Sequence, residues 1–265
     1  MITSSQNPKI QQIRKLIAQK KERDESGCYV LEGVRLIEEA IKKKENCRLL
    51  VYTDPLSPRA EALVQSFVTQ GVETEEVTPQ LMKTISDTEM PQGVLAVMEM
   101  TRPVIPEKLD FIIILDSIRD PGNLGTMIRT AAAAAVDLLI LAPGCTDPYA
   151  PKVLRSAMGS HFMIPLIQLG WEEIASRLIP FPDLQVLASI MDDGKSCWDY
   201  DLSKPTALII GSEANGISQT AQDLSDGNIF IPMPGDVESL NAAMAAGILI
   251  FEIVRQRSKK FEQGS

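Results

Sequence analysis

The side chains suited to chemistry sit in three loops, each following a short apolar run. Phe111-Ile-Ile-Ile-Leu115 leads to Asp120-Pro-Gly-Asn-Leu-Gly-Thr-Met-Ile-Arg-Thr130. Ala207-Leu-Ile-Ile210 leads to Gly211-Ser-Glu-Ala-Asn-Gly-Ile-Ser218, and Ile229-Phe-Ile231 to Pro232-Met-Pro-Gly-Asp-Val-Glu-Ser-Leu-Asn241. Gly122 and Gly125 permit close approach to the backbone. Asn123 suits a helix start, and Ser239 reads as the N-cap of a longer helix with Asn241 beside it; both can occupy amide donors that a first turn leaves unpaired. Arg129 falls six residues after Asn123, near two turns into its helix. A solvent-facing arginine is unremarkable there, and an anion-binding one is the alternative.

Other chemistries lack their residues. Gly194-Lys195-Ser196 looks like the end of a phosphate-binding loop, but that motif needs glycine at 189 and the chain has Ser189, with Asp192 and Asp193 where phosphate would sit. No Gly-x-Gly-x-x-Gly follows a strand, and no Gly-x-Ser-x-Gly elbow accompanies His161, the single histidine. Cys28, Cys47, Cys145 and Cys197 lie far apart, so free thiols are expected, with neither a disulfide framework nor a metal site.

The elements that must position these loops alternate. In the first hundred residues we expect helices after Asn7-Pro8, at Val34 to Lys44, Arg59 to Gln70 and Pro79 to Ile85, and strands at Tyr29 to Leu31, Leu49 to Tyr52, Val72 to Val77 and Val94 to Met98. Two prolines in 99–107 mark a linker. Strands then read at Phe111 to Leu115, Leu138 to Leu141, Phe162 to Ile167, Gln185 to Ile190, Ala207 to Ile210 and Ile229 to Met233. Helices read through Ala135, at Pro151 to Met158, at Trp171 to Leu178 and from Ser239. Strands apolar on both faces, alternating with helices, imply a parallel sheet covered on both sides, with ligands beyond the carboxyl ends of its strands. The expected division is 1–98, linker 99–107 and 108–265. Ala242, Ala243, Ala245, Ala246 and Gly247 suit a helix that another backbone approaches closely.

The formal charge of −9 argues against nucleic-acid binding over the whole surface, but charge is segregated: the first 23 residues carry +5 and the remainder −14. Hydrophobic content of 45% and charged content of 23% suit a globular chain. No apolar run reaches membrane-span length and the N-terminus has no apolar signal core, so the expected location is cytoplasmic.

Taken in order, Asn123-x-Gly125-x-x-x-Arg129, Ile210-Gly-Ser-Glu213-Ala-Asn-Gly216 and Ile231-Pro-Met233-x-Gly235-x-x-x-Ser239-Leu-Asn241 resemble the three signature motifs of the SpoU (TrmH) family of RNA ribose 2′-O-methyltransferases. Thr3-Ser-x-x-Asn7-Pro8, Glu32-Gly-x-Arg35 and Pro91-Gln-Gly93 look like the substrate-binding domain that such enzymes often carry.

The resemblance implies an α/β domain of the SPOUT superfamily, a parallel sheet covered by helices with a C-terminal trefoil knot, preceded by a smaller α/β domain. It implies S-adenosylmethionine as cofactor, held by Ala188, Ser189, Gly211, Ile231, Met233, Ser239, Leu240 and Asn241. Arg129, Asn123, Glu213, Ser239 and Asn241 are the implied catalytic set. RNA, ribosomal rather than transfer, is the implied partner, and a homodimer through the C-terminal domain the implied assembly. For RNA contact we expect Lys9, Arg14, Lys15, Lys20, Lys21 and Arg35, with Lys152 and Arg155. The competing reading is an RNA-binding or ribosome-assembly factor that keeps the fold without turnover.

Overall fold

The computed structural model describes residues 1–191, 194–212, 215–236 and 238–263, with side chains of the last helix to residue 258. The chain forms two units, Met1–Arg102 with Asp147–Phe162, and Pro103–Thr146 with Met163–Ser265.

The first unit opens with α1 (Pro8–Ala18), where Asn7 Oδ1 accepts from Lys9 N–H at 3.0 Å and Pro8 takes the first helical position. Ile10, Ile13 and Leu16 are its buried stripe. Next come α2 (Lys20–Ser26), β1 (Cys28–Glu32), α3 (Val34–Lys42), β2 (Cys47–Tyr52), α4 (Pro58–Thr69), β3 (Glu73–Glu76), α5 (Pro79–Ile85) and β4 (Val94–Glu99). The sheet runs β1-β4-β2-β3, with β4 antiparallel to both neighbours and β2 parallel to β3.

The second unit carries β5 (Phe111–Leu115), α6 (Pro121–Ala133) and β6 (Leu138–Leu141). After α7 (Pro151–Ala157), which lies in the first unit, follow β7 (Leu166–Gln168), α8 (Trp171–Leu178), β8 (Gln185–Ser189), β9 (Lys195–Ser196), β10 (Thr206–Ile210), α9 (Gln219–Leu224), β11 (Gly227–Phe230) and α10 (Ala242–Gln263). The sheet order is β7-β6-β5-β10-β8-β11-β9, and every neighbouring pair is parallel. Ile112, Ile114, Ile140 and Ile209 pack with Ile174 and Leu178 of α8 and Ala221 of α9. α6 and α10 pack on each other, burying Met127 and Ile128 and, from α10, Ala246, Leu249 and Ile250. Among the described residues no helix is long and apolar enough to cross a membrane, and no cluster of His, Cys, Asp and Glu could hold a metal.

Several expectations shift. The strand expected over 162–167 is a 3-10 turn at Ser160–Phe162 and the short β7, since Pro165 has no N–H to give a ladder. α2 and α9 are polar helices, each with one residue buried, Arg23 and Ala221, so neither shows an apolar stripe. The last helix begins at Ala242, not Ser239, because Asn241 is the cap: its Oδ1 accepts from the N–H groups of Ala243 (3.0 Å) and Met244 (3.2 Å). Ala242, Ala243 and Ala246 are buried as a close approach needs, but a Cβ on Gly247 would meet open space.

Residues 147–162, which chain order groups with 108–265, lie in the first unit. There Leu154 enters the apolar core, the rings of Tyr149 and Tyr29 stand 4.8 Å apart, and Asp147 accepts from buried Arg23 Nε at 2.7 Å. His161 is structural: one ring nitrogen meets Pro148 O at 2.8 Å, and burial pushes the imidazole down to about 4, so the ring is neutral near pH 7.

Candidate active site

Because all strands of the second sheet run one way, the loops after β5, β8, β10 and β11 reach the same edge. There a cavity of about 400 Å³ opens. Ser189, Gly211, Ile231, Met233, Ser239 and Leu240 border it, together with Ile210, Ile217 and Ala245. The walls are more apolar than polar, with hydroxyls from Ser189, Ser212 and Ser239 and the amides of Asn215 and Gln222 as the polar side chains. Two expected lining residues lie elsewhere. Ala188 faces the apolar layer under α8, since successive strand residues point to opposite faces, and Asn241 is occupied in capping α10. Glu213 lies outside the described residues.

Part of the wall is close-packed main chain, at Gly211, Ser212 and Gly216. Ser212 and Gly216 exchange hydrogen bonds, N–H to O at 3.1 Å and 2.8 Å, and Asn215 N–H reaches Ser212 Oγ at 3.3 Å. This closure brings the chain so near itself that a Cβ on Gly211 would lie 2.2 Å from Gly216 O. Only glycine fits without moving main chain.

The β5–α6 loop is fastened separately. α6 begins at Pro121, capped by Asp120, whose Oδ1 accepts from Asn123 N–H at 2.8 Å; Asn123 is therefore within the first turn rather than the cap. An Asp-Pro pair is itself a helix-start signal, so this cap was legible. Asn123 Oδ1 instead accepts from Asn241 Nδ2 at 3.1 Å, joining the start of α6 to the start of α10. Behind the loop, Cys145 Sγ donates to Leu115 O at 3.2 Å and lies 3.3 Å from Ile118 N–H; burial pushes its thiol up to about 11, so it stays protonated. Arg129 is exposed and makes no ion pair among the described residues.

The motifs, their order and the backbone-walled cavity can be set against known proteins. The SpoU rRNA Methylase family matches residues 110–251. The chain belongs to this family. An MRM3-like substrate binding domain matches residues 7–96. Along its length the chain is 32% identical over 252 residues to the 23S rRNA (guanosine(2553)-2′-O)-methyltransferase RlmP of Bacillus subtilis, covering 95% of this chain and 98% of that one. It is 34% identical over 270 residues to the 23S rRNA (uridine(2479)-2′-O)-methyltransferase of Streptomyces viridochromogenes, covering 96% and 92%. The crystal structure of the SpoU methyltransferase AviRb from that organism, in complex with AdoMet (S-adenosylmethionine), superposes with a TM-score of 0.83 at 32% identity over 96% of this chain and all of that one.

Outside this SpoU site, the cations expected to meet RNA are unequal. Lys9 is held by Glu73 at 2.6 Å and by Glu75, Lys20 by Asp24 at 2.7 Å, and Lys21 by Glu25 at 3.6 Å. Arg14 donates to Thr84 Oγ1 at 2.8 Å, and Arg155 pairs with Asp87 at 2.7 Å. Arg23, counted in the +5 of the opening segment, is buried. Lys15, Arg35 and Lys152 are exposed without an ion pair among the described residues. The opening segment is thus no continuous free basic face.

Replacing Gly211 with alanine forces a backbone collision in the cavity wall. Overpacking of this kind costs about 1–3 kcal/mol. We expect a lower thermal midpoint and at least about tenfold weaker uptake of S-adenosylmethionine by calorimetry, as for a loss of about 1.4 kcal/mol in binding. Unchanged affinity in Gly211→Ala would show that the ligand does not use this wall.

Proposed function

We infer that the chain is an S-adenosylmethionine-dependent RNA methyltransferase that methylates a ribose 2′-hydroxyl of ribosomal RNA. The observation that carries this reading is that the second and third SpoU motifs border one cavity at the carboxyl edge of the parallel sheet, with the first motif tied to them through the Asn241–Asn123 hydrogen bond. The residues fit the donor: close-packed main chain at Gly211 admits close contact, apolar side chains suit an adenine and a thioether, and a few hydroxyl and amide groups suit the polar ends. When bound, S-adenosylmethionine supplies a methyl group activated by its sulfonium.

The chain's own part is to hold the ribose oxygen in line and manage its proton. A 2′-hydroxyl is a weak acid, so attack needs its charge stabilised as the proton leaves. A guanidinium keeps its proton and is a poor base, but its planar fork clamps a phosphate and stabilises an alkoxide. We assign that role to Arg129, with the proton passing to a phosphate oxygen or water. On α6 it stands about 9 Å along the axis from Asn123, at 1.5 Å per residue, and Asn123 is tied to the α10 cap beside Leu240 and Ser239 of the cavity wall. The competing reading, a binding factor without turnover, has no feature here that favours it.

The first unit would bind RNA, with Lys15 and Arg35 the better placed of the six expected cations because both are exposed and neither makes an ion pair or side-chain hydrogen bond among the described residues. We also assign a homodimer through α10. Met244, Ile248 and Phe251 stand 61%, 38% and 48% exposed, at the i, i+4, i+7 spacing that puts them on one face. The return of α10 onto α6 from β11, which lies beyond β10 and β8 from β5, is read as the knotted passage that the family resemblance implies.

Two measurements test these roles. Arg129→Lys keeps the charge and loses the fork, so kcat should fall by about 100–1000-fold with unchanged donor affinity, the scale seen when one charge-stabilising donor is removed; near-normal kcat would remove the clamp. Phe251→Asp should convert a dimer to a monomer by light scattering after gel filtration, and a dimer that persists places the interface elsewhere.

A further inference from the structure

Asp116 follows β5 directly and is 1% exposed. Its Oδ2 accepts from Ser218 N–H at 2.6 Å, its Oδ1 from the Ser117 hydroxyl at 3.1 Å, and its own N–H donates to Ile210 O at 2.8 Å. Other buried carboxylates have cations: Asp147 has Arg23, and Glu252 has Arg255. Asp116 makes no ion pair among the described residues, and a buried charge held by neutral donors is costly unless those bonds are strong. Retaining a carboxylate here makes sense where its bonds fix something.

What they fix is the chain at Ser218, where it leaves the cavity wall. Ile210 and Ile217 both border the cavity; the Asp116 main-chain N–H holds Ile210 O, and its carboxylate holds Ser218 N–H, next to Ile217. From Asp116 the chain runs straight into the β5–α6 loop, where Ile118 O accepts from Thr146 N–H at 2.8 Å and Asp120 caps the helix that carries Asn123 and Arg129. The buried carboxylate thus ties the chain at Ser218, one residue past the cavity-lining Ile217, to the start of the loop that leads to the guanidinium.

We propose that Asp116 is a positioning residue for methyl transfer: its carboxylate holds the cavity wall at Ile217–Ser218 in register with the β5–α6 loop, so that donor and ribose oxygen meet at reacting distance. The inference rests on the function proposed above. It accounts for an acid at a place where the core would otherwise take an apolar side chain.

The test compares Asp116→Ala, which loses the acceptor, with Asp116→Asn, whose amide oxygen still accepts from Ser218 but without charge. Sites able to bind S-adenosylmethionine are counted by calorimetric titration, and kcat on ribosomal RNA is expressed per such site. A small misplacement of reacting groups costs up to about 100-fold in rate, so we expect a loss of about 30-fold in the alanine variant. The asparagine variant should lose at least about threefold, since a neutral acceptor makes the weaker bond. If the alanine variant fails to fold, the asparagine variant decides alone. A merely structural role would lower the thermal midpoint and the number of binding sites while leaving kcat per site unchanged, and that result overturns the proposal. Failure of the unaltered protein to bind S-adenosylmethionine would instead overturn the function on which it rests.

Discussion

The rest of the site depends on one constraint: a sheet whose seven strands are all parallel must send its carboxyl-terminal loops to the same edge. Antiparallel order would have placed the loops after β5 and β10 on opposite edges and separated the motifs. Here Leu115 and Ile210 are register partners on adjacent strands, so the two loops leave the sheet side by side. The third loop arrives from β11 and ends at Asn241, where one amide both caps α10 and reaches Asn123. The cavity is therefore a product of topology first and of side chains second.

Part of its wall is main chain drawn close together, the rest is apolar and neutral polar side chains, and no charged side chain borders it among the described residues. Gly211 approaches Gly216 O more closely than any side chain would allow, and the polar side chains on the lining are hydroxyls and two amides. Such a surface suits a ligand carrying positive charge on sulfur, for which dense cations would be wrong. Charge for the RNA must come from elsewhere, and the acidic chain keeps much of its basic content neutralised: Lys9 between Glu73 and Glu75, Arg23 on Asp147. The exposed Lys15, Arg35 and Arg129 stand out against that background.

Much of this was legible in the chain. The continuous runs Phe111–Leu115 and Leu138–Leu141 are strands at the expected bounds, as α5 and α8 are helices. The three motifs pointed to one edge of one sheet, and six of the eight expected lining residues border the cavity there. Three kinds of feature were not legible. α2 and α9 bury one side chain each, so no periodicity betrays them. The partner of Arg23 lies 124 residues away, and a surface charge cannot be told from a buried one without it. The passage of 147–162 into the first unit rests on Tyr149 and Leu154 choosing a core that local pattern does not name.

The account stands on where a methyl group goes. Ribosomal RNA incubated with the protein and S-adenosylmethionine labelled in its methyl group should be hydrolysed in alkali and resolved by mass. A methylated 2′-oxygen cannot attack the neighbouring phosphate, so label in an alkali-resistant dinucleotide, methylated on ribose, is the result predicted. Label on a base in ordinary mononucleotides, or none transferred by protein that binds the donor, would contradict it.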